Sequence, residues 1–250
     1  MSDTTVSRVI NTCVLIEIGG HFVLTDPYFK DQWFFRTNEP IGLRPDELPP
    51  LAAVLGGHRA FDHWQPRSMR GYAARSTTAV FTASRGMTSA ARRAGFDQVE
   101  TLRWGDQRAI APGLTLTCVP GQRTFGMTSN LYLLETDRVS MLIGTEALDQ
   151  RAIERCAEDH RVDIAVLPID GATFVGRQLV MDAGGAIAAA KALGAPALVP
   201  IHHSERPVPG LLRCPSGLDE LRKLAEGEPD VRIYTAATGV RLPIDVDRHD

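Results

Sequence analysis

The sequence lacks the features that would assign it to several large classes of protein. No apolar run in its 250 residues approaches the length of a membrane span, so we expect no membrane-spanning segment. Its formal net charge of −3 provides no general attraction to nucleic acid. The first residues lack the basic and apolar segments of a secretion signal, which makes the cytoplasm the expected location.

Cysteine is also scarce, with four residues that lie far apart and show no CxxC spacing. This excludes a zinc ribbon and a disulfide framework, and it predicts buried free thiols. The chain is 44% apolar and 23% charged, which is ordinary for a globular protein. Its length allows one large domain or two halves that share a core.

Hydrophobic patterns predict a first part rich in strands and a second part in which helices and strands alternate. Residues 14–29 are interpreted as two strands joined by a Gly-Gly turn, and residues 66–76 as a short helix. Residues 182–195 predict a helix capped by Asp182, followed by a buried strand over 197–203. This order favours two sheets packed back to back with helices outside.

The stretch GGHRAFDHW follows an apolar run over 51–55 and places His58, Asp62 and His63 within six positions. Side chains on a tight turn after a buried strand can converge, and zinc accepts histidine and aspartate together. By itself the H-x(3)-D-H spacing is a weak signal. A loop with one capping aspartate and two solvated histidines explains it equally well.

Several further segments occur in a fixed order around this motif. They are VLIEIGGHFVLTDPYF (14–29), LAAVLGGH (51–58), VPGQR (119–123), MLIGTE (141–146) and AAAKALGAPALVPIHH (188–203). Together they resemble the metallo-β-lactamase superfamily, especially its ascorbate-6-phosphate-lactonase-like and N-acyl-phosphatidylethanolamine-phospholipase-like branch. The resemblance implies an α/β fold, a four-layer αβ/βα sandwich. It also implies a single domain over 1–250, with related halves at about 1–145 and 146–250, and ligand-bearing loops at one edge of the sheets.

The chain departs from the two-metal pattern of that family at three positions. Ala60 replaces the second histidine of H-x-H-x-D-H, Arg123 the histidine of P-x-Q-H, and Thr145 the bridging aspartate of Gly-Asp-Thr. Only His58 then remains among the terminal ligands of the first metal, and one imidazole cannot hold zinc against water. A guanidinium at that place would repel a cation by several kcal/mol. The resemblance therefore implies at most one metal.

Asp62, His63 and His202 all remain for the second metal. Two histidines and one carboxylate with open positions are typical of catalytic zinc, and they also suit iron or manganese. We therefore expect one divalent metal on these three residues, zinc before iron or manganese. A metal-free protein is the open alternative.

Arg123 could replace the first metal as the group that holds an anionic substrate or a developing oxyanion. The alternative is an ion pair with Asp62 or Glu146 that fills the void. His58, Asp62 and Arg123 are thus the expected catalytic residues.

Other residues are assigned by analogy with the family. Asn11 lies at the pocket edge, and Trp33 and Phe34 wall an apolar substrate or form a contact between two copies of the chain, which would be a homodimer. Glu146 and Asp170 end strands at the same edge. Either could supply a carboxylate base, although a solvated or structural role is expected for both.

Three hypotheses of function follow. The first is a hydrolase-like enzyme on a small, anionic ester, lactone or amide, in which one metal supplies hydroxide and His58 shuttles the proton. The second is a metal-independent lyase, cyclase or isomerase of specialised metabolism on the same scaffold. The third is a non-catalytic protein that binds a ligand. In each the partner is a small molecule, and the sequence predicts no partner nucleic acid.

Overall fold

The computed structural model of the protein describes residues 4–33 and 36–246. The first strands are β1 (Thr5–Ile10), β2 (Cys13–Ile18), β3 (His21–Thr25), β4 (Ala53–Gly56), β5 (Ala79–Thr82), β6 (Val99–Thr101), β7 (Gln107–Ala111), β8 (Leu114–Thr124), β9 (Met127–Glu135), β10 (Ser140–Ile143) and β11 (Ile164–Pro168). Six shorter or later strands follow, β12 (Thr173–Phe174), β13 (Arg177–Gln178), β14 (Ala197–Ile201), β15 (Leu212–Arg213), β16 (Arg232–Ile233) and β17 (Leu242–Pro243). The α-helices are α1 (Arg85–Arg93), α2 (Gln150–Asp159), α3 (Ala183–Leu193) and α4 (Leu218–Ala225).

Two sheets of seven strands form the centre of the molecule. Their orders are β17-β1-β2-β3-β4-β5-β6 and β16-β14-β11-β10-β9-β8-β7, and a small sheet has the order β13-β12-β15. The inner faces of the two large sheets share one apolar core. Helix α1 covers the outer face of the first sheet, and α2, α3 and α4 cover the second. The predicted four-layer αβ/βα sandwich is confirmed.

The sequence signals that set these elements are local. Gly19 and Gly20 join β2 to β3 with φ angles of 57° and 77°, which a tight hairpin turn requires. Helix α3 begins after Asp182, whose side chain accepts a hydrogen bond from the Gly185 amide, and it ends at Gly194 in the left-handed conformation. The hairpin and the capped helix are therefore as predicted.

The prediction of a helix over residues 66–76 is wrong. The structure forms only a short 3₁₀ turn over Pro66–Met69, followed by further turns. Gly71 lies just after it, and glycine weakens any continuation of a helix. None of the described helices is long and apolar enough to cross a membrane.

We predict that Asp182→Ala lowers the free energy of unfolding by about 1 kcal/mol, because α3 loses the acceptor at its first turn. Urea denaturation followed by circular dichroism measures the change. Asp219→Ala is the matched control, since that exposed carboxylate lies within α4 and caps no amide; its effect should stay within about 0.5 kcal/mol. Equal losses in both variants would contradict the capping role.

Candidate functional site

The candidate site lies where parallel strands of both sheets end at one edge. His58, Asp62 and His63 follow β4, which runs parallel to β3 and β5. Glu146 follows β10, and His202 follows β14, in the parallel part of the second sheet. Parallel strands deliver their carboxyl ends to the same edge, so residues distant in sequence meet there.

One ring nitrogen of His63 is hydrogen-bonded to a buried carboxylate. The other ring nitrogen lies close to two further carboxylates. Its Nδ1 donates to Asp26 Oδ2 at 2.8 Å, and Asp26 Oδ1 accepts from the Gly57 amide at 2.6 Å. Its Nε2 lies 3.2 Å from Asp62 Oδ2 and 3.1 Å from Glu146 Oε2, without the geometry of a hydrogen bond to either. A carboxylate behind the ring fixes its tautomer and leaves Nε2 free to bind a cation.

His202 is held in the same manner. Its Nδ1 donates to Asp170 Oδ2 at 3.1 Å, while its Nε2 lies 3.9 Å from Asp62 Oδ2 and 3.7 Å from Glu205 Oε1. The backbone of His202 has a φ of 55°, and its amide donates to the Asn11 carbonyl. This uncommon backbone conformation turns the side chain into the cluster directly after β14.

His58 completes the group of imidazoles. Its ring meets that of His63 edge to face, with centroids 5.4 Å apart, and its Nδ1 lies 3.5 Å from Glu146 Oε1. That nitrogen is buried and makes no hydrogen bond. Burial lowers the pKa of His58, against the opposing effect of Glu146, so the ring is neutral near pH 7.

The cluster holds more acid than base. Five buried or nearly buried carboxyl groups surround the three imidazoles, namely Asp26, Asp62, Glu146, Asp170 and Glu205. The fully ionised group would therefore stay negative even with every imidazole protonated. A bound cation would neutralise this excess of buried negative charge.

The protonation of the cluster reflects this imbalance. Burial opposes charge on both histidines, but the surrounding carboxylates raise the pKa of His63 well above its usual range and that of His202 to about 10. Burial opposes ionisation of Asp62 as well, but His63 and His202 hold its pKa below the ordinary value. Burial and the neighbouring Asp62 raise the pKa of Glu205.

The residues present fit a divalent cation. Three groups among the described residues offer ligand atoms within 4.8 Å of one another: His58–His63–Glu146, Asp62–His63–His202 and Asp170–Glu205–Cys214. His63 belongs to the first two. His63 Nε2 and His58 Nδ1 are buried without hydrogen-bond partners. Imidazole nitrogens and carboxylate oxygens in this number suit zinc, iron or manganese.

A cavity of about 530 Å³ opens onto the cluster. Its polar end consists of His58, Asp62, Glu146, His202 and Glu205. The other lining residues are Ala60, Phe61, Thr124, Phe125, Met127, Ala172, Phe174, Leu179, Val208, Leu211 and Leu212. The site thus joins a charged floor to predominantly apolar walls.

The structure brings together His58, Asp62, His63 and His202, four of the residues that the sequence indicates. Asn11 adjoins them, since its Nδ2 donates to Glu205 Oε1 at 3.1 Å. Its contact is with a residue of the cluster, and a contact with substrate stays a prediction.

Two other predicted residues, Arg123 and Trp33, are not brought to the cluster. The Arg123 side chain is exposed, with its guanidinium 5.7 Å from the centre of the Trp104 ring. The pairing of β8 with β9 shifts register between Pro120 and Arg123, and such a shift changes the face on which a side chain emerges. Trp33 is 87% exposed and does not line the cavity, and Phe34 lies outside the described residues.

Thr145 stands where the resembling family has its bridging aspartate, but the next residue supplies a carboxylate to the site. Glu146, one residue later, extends between His58 and His63. Glu205 was not anticipated at all, although its spacing of three residues from His202 in a buried segment is a usable signal. Glu146 was expected at this edge from the sequence, as a possible base or a structural residue, whereas its position between two histidines is seen only in the structure.

Comparison with known proteins agrees with this architecture. A family model described as a beta-lactamase superfamily domain matches residues 21–203. No curated protein sequence matches the chain.

Three solved structures illustrate the similarity. A metallo hydrolase from the hyperthermophilic archaeon Ignicoccus hospitalis is 17% identical, with a TM-score of 0.73 over 98% of this chain and 99% of that one. A possible metal-dependent hydrolase from Veillonella parvula is 13% identical, with a TM-score of 0.80 over 98% and 100%. An isothiocyanate hydrolase from Delia radicum gut bacteria is 17% identical, with a TM-score of 0.75 over 93% and 97%. Identities this low establish a shared fold and nothing finer.

We predict that Gly57→Ala lowers the free energy of unfolding by about 1–3 kcal/mol, because its new Cβ would lie 2.3 Å from Thr145 Oγ1. Adding Thr145→Ala should recover much of the loss, since that hydroxyl is buried without a hydrogen-bond partner. Chemical denaturation of both single variants and the double variant measures this. A double variant no more stable than Gly57→Ala would show that the collision is not the cause.

Proposed function

Because the chain belongs to the beta-lactamase superfamily, we propose that it is a metal-dependent hydrolase of a small ester, lactone or amide. The observation that supports this most is the buried Nε2 of His63, which no hydrogen bond satisfies, among excess carboxylates. In the proposed site Asp62, His63 and His202 hold one divalent cation. Glu146 is the candidate for a further ligand.

A bound divalent cation supplies Lewis acidity and makes water nucleophilic at neutral pH. His58 is the proposed proton acceptor, since its ring is neutral, buried and part of the cavity lining. The water oxygen bonds to the carbonyl carbon, and the bond from that carbon to the leaving oxygen or nitrogen breaks. The proton taken up by His58 passes to the leaving group, which balances the reaction.

Asp26 and Asp170 act as positioning residues in this proposal. Each accepts a hydrogen bond from Nδ1 of one histidine and thereby directs the Nε2 of that ring towards Asp62. Such partners also raise the basicity of the ligand and typically contribute 10–100-fold to metal affinity. The role once expected of Arg123, holding an anion, is not part of the proposal because its side chain lies on Trp104 instead.

We predict that the protein purified without chelator carries about one equivalent of zinc, iron or manganese. His63→Ala and His202→Ala should each lower metal affinity more than tenfold, because each removes a ligand. Mass spectrometry of the metal content and titration calorimetry measure the two effects.

His160→Ala is the matched control, since that histidine pairs with Glu135 away from the cluster and should leave the metal content unchanged. Less than a tenth of an equivalent of these metals, with hydrolysis that EDTA leaves intact, would overturn the metal-dependent mechanism. It would favour the metal-independent lyase, cyclase or isomerase.

Metal affinity should rise with pH. The carboxylates raise the pKa of His63 and bring that of His202 to about 10, so both rings are protonated at pH 7 in the metal-free protein. A cation must therefore displace one proton from each ring, and binding weakens as the pH falls. Calorimetry at pH 7 in two buffers of different protonation enthalpy should report about two protons released per ion. No release would contradict the assignment of these rings as ligands.

A further inference from the structure

We propose that the substrate of this site carries an uncharged hydrocarbon group, and that this group occupies the cavity between the β8–β9 turn and the small sheet. The inference rests on the proposed function for the reaction, but its own basis is the cavity. It changes the expected substrate from a small anionic metabolite to a compound with an apolar acyl or leaving group.

The walls of the cavity are built for hydrocarbon. Phe61, Phe125 and Phe174 supply aromatic surface, and Leu179 and Leu212 supply aliphatic surface. The volume of about 530 Å³ lies in the range of pockets that enclose a small molecule. Apolar walls gain affinity roughly in proportion to the apolar area that they remove from water.

Two hairpin turns, Phe125–Gly126 and Val175–Gly176, adjoin the cavity, and Phe125 in the first turn and Phe174 just before the second line it. All four turn residues have positive φ, at 49°, 73°, 47° and 77°, which is the pattern of the tightest two-residue turns. A β-branched residue such as Val175 is disfavoured in this region by roughly 1 kcal/mol or more. The turns nevertheless place aromatic side chains together over the cavity, since the Phe125 and Phe174 rings meet edge to face at 6.3 Å.

The charges around the cavity oppose an anionic occupant. Its described lining contains neither lysine nor arginine, and its floor carries the carboxylates of Asp62, Glu146 and Glu205. Arg177, which follows the Val175–Gly176 turn, has its guanidinium 5.2 Å from the centre of the Phe125 ring and lies outside the lining. A carboxylate or phosphate held between the apolar walls, away from the floor, would lose its hydration without gaining a lysine or arginine partner.

The experiment measures binding of uncharged probes to the full chain. N-phenyl-1-naphthylamine, an uncharged fluorophore, reports on the cavity, and a series of alcohols from butan-1-ol to octan-1-ol displaces it. The apparent dissociation constant of the alcohol should fall about threefold to fourfold for each added methylene group. Glycerol 3-phosphate, as the anionic comparison, should not displace the fluorophore.

Variants assign the binding to this cavity. Phe174→Ala and Leu211→Ala should weaken octan-1-ol binding about fivefold to tenfold, because each removes part of the apolar wall. Phe174→Leu should retain most of the affinity, which separates loss of apolar surface from loss of the fold. Leu224→Ala, an exposed leucine on α4 that does not line the cavity, is the matched control and should change nothing.

The measurements distinguish failure of the hydrocarbon-binding inference from failure of the proposed metal-dependent function. Metal content is measured on the same samples, and the displacement series is repeated after treatment with EDTA. Chain-length-dependent displacement in a protein that binds no metal would support the hydrocarbon occupant and remove the metal-dependent function. A flat response to chain length, displacement by glycerol 3-phosphate, or equal binding in Phe174→Ala would overturn the inference even if the metal is present.

Discussion

Buried negative charge at one edge of two sheets is the constraint on which this site depends. Asp26, Asp62 and Asp170, with Glu146 and Glu205, lie out of water or nearly so around three imidazoles. A buried carboxylate is costly unless it is paired, and the imidazoles cannot neutralise all five. The arrangement is therefore stable only with shared protons or with a cation. Both answers concern the same few atoms, since the ring nitrogens that hold protons in one state are the proposed metal ligands in the other.

The residues of the site come from both large sheets, and the fold holds them in place. The first sheet supplies Asp26 and the His58–His63 turn, and the second supplies Glu146, Asp170 and His202. Neither sheet has a complete set of ligands. The apolar core between the sheets fixes their separation, so packing far from the site sets distances within it. Rigid strands at each ligand explain how a site formed by distant segments can be preorganised.

The sequence predicted correctly those features of the fold that depend on local patterns of residues. The end of a buried strand indicated where His58, Asp62 and His63 lie, and the resemblance to the family added their role and that of His202. The expected position of Arg123 at the cluster was wrong because a shift of register in β8 alters the face on which a side chain emerges. No local sequence pattern indicates that shift. The cavity walls were missed for a related reason. Strands of two residues, such as β12 and β15, are too short to show a period, and only the tertiary structure gives them a partner.

Ala60 connects the altered ligand set with the apolar cavity. Where the resembling family has a second histidine, this chain has a methyl group, and that residue lines the cavity beside Asp62. In the proposed site, alanine at this position offers no metal ligand and adds apolar surface next to Asp62. Apolar walls exclude water, and a lower local dielectric strengthens every charge interaction at the floor. In the proposed function, a site with fewer metal ligands would therefore still polarise a carbonyl strongly, provided that an apolar group of the substrate displaces the water.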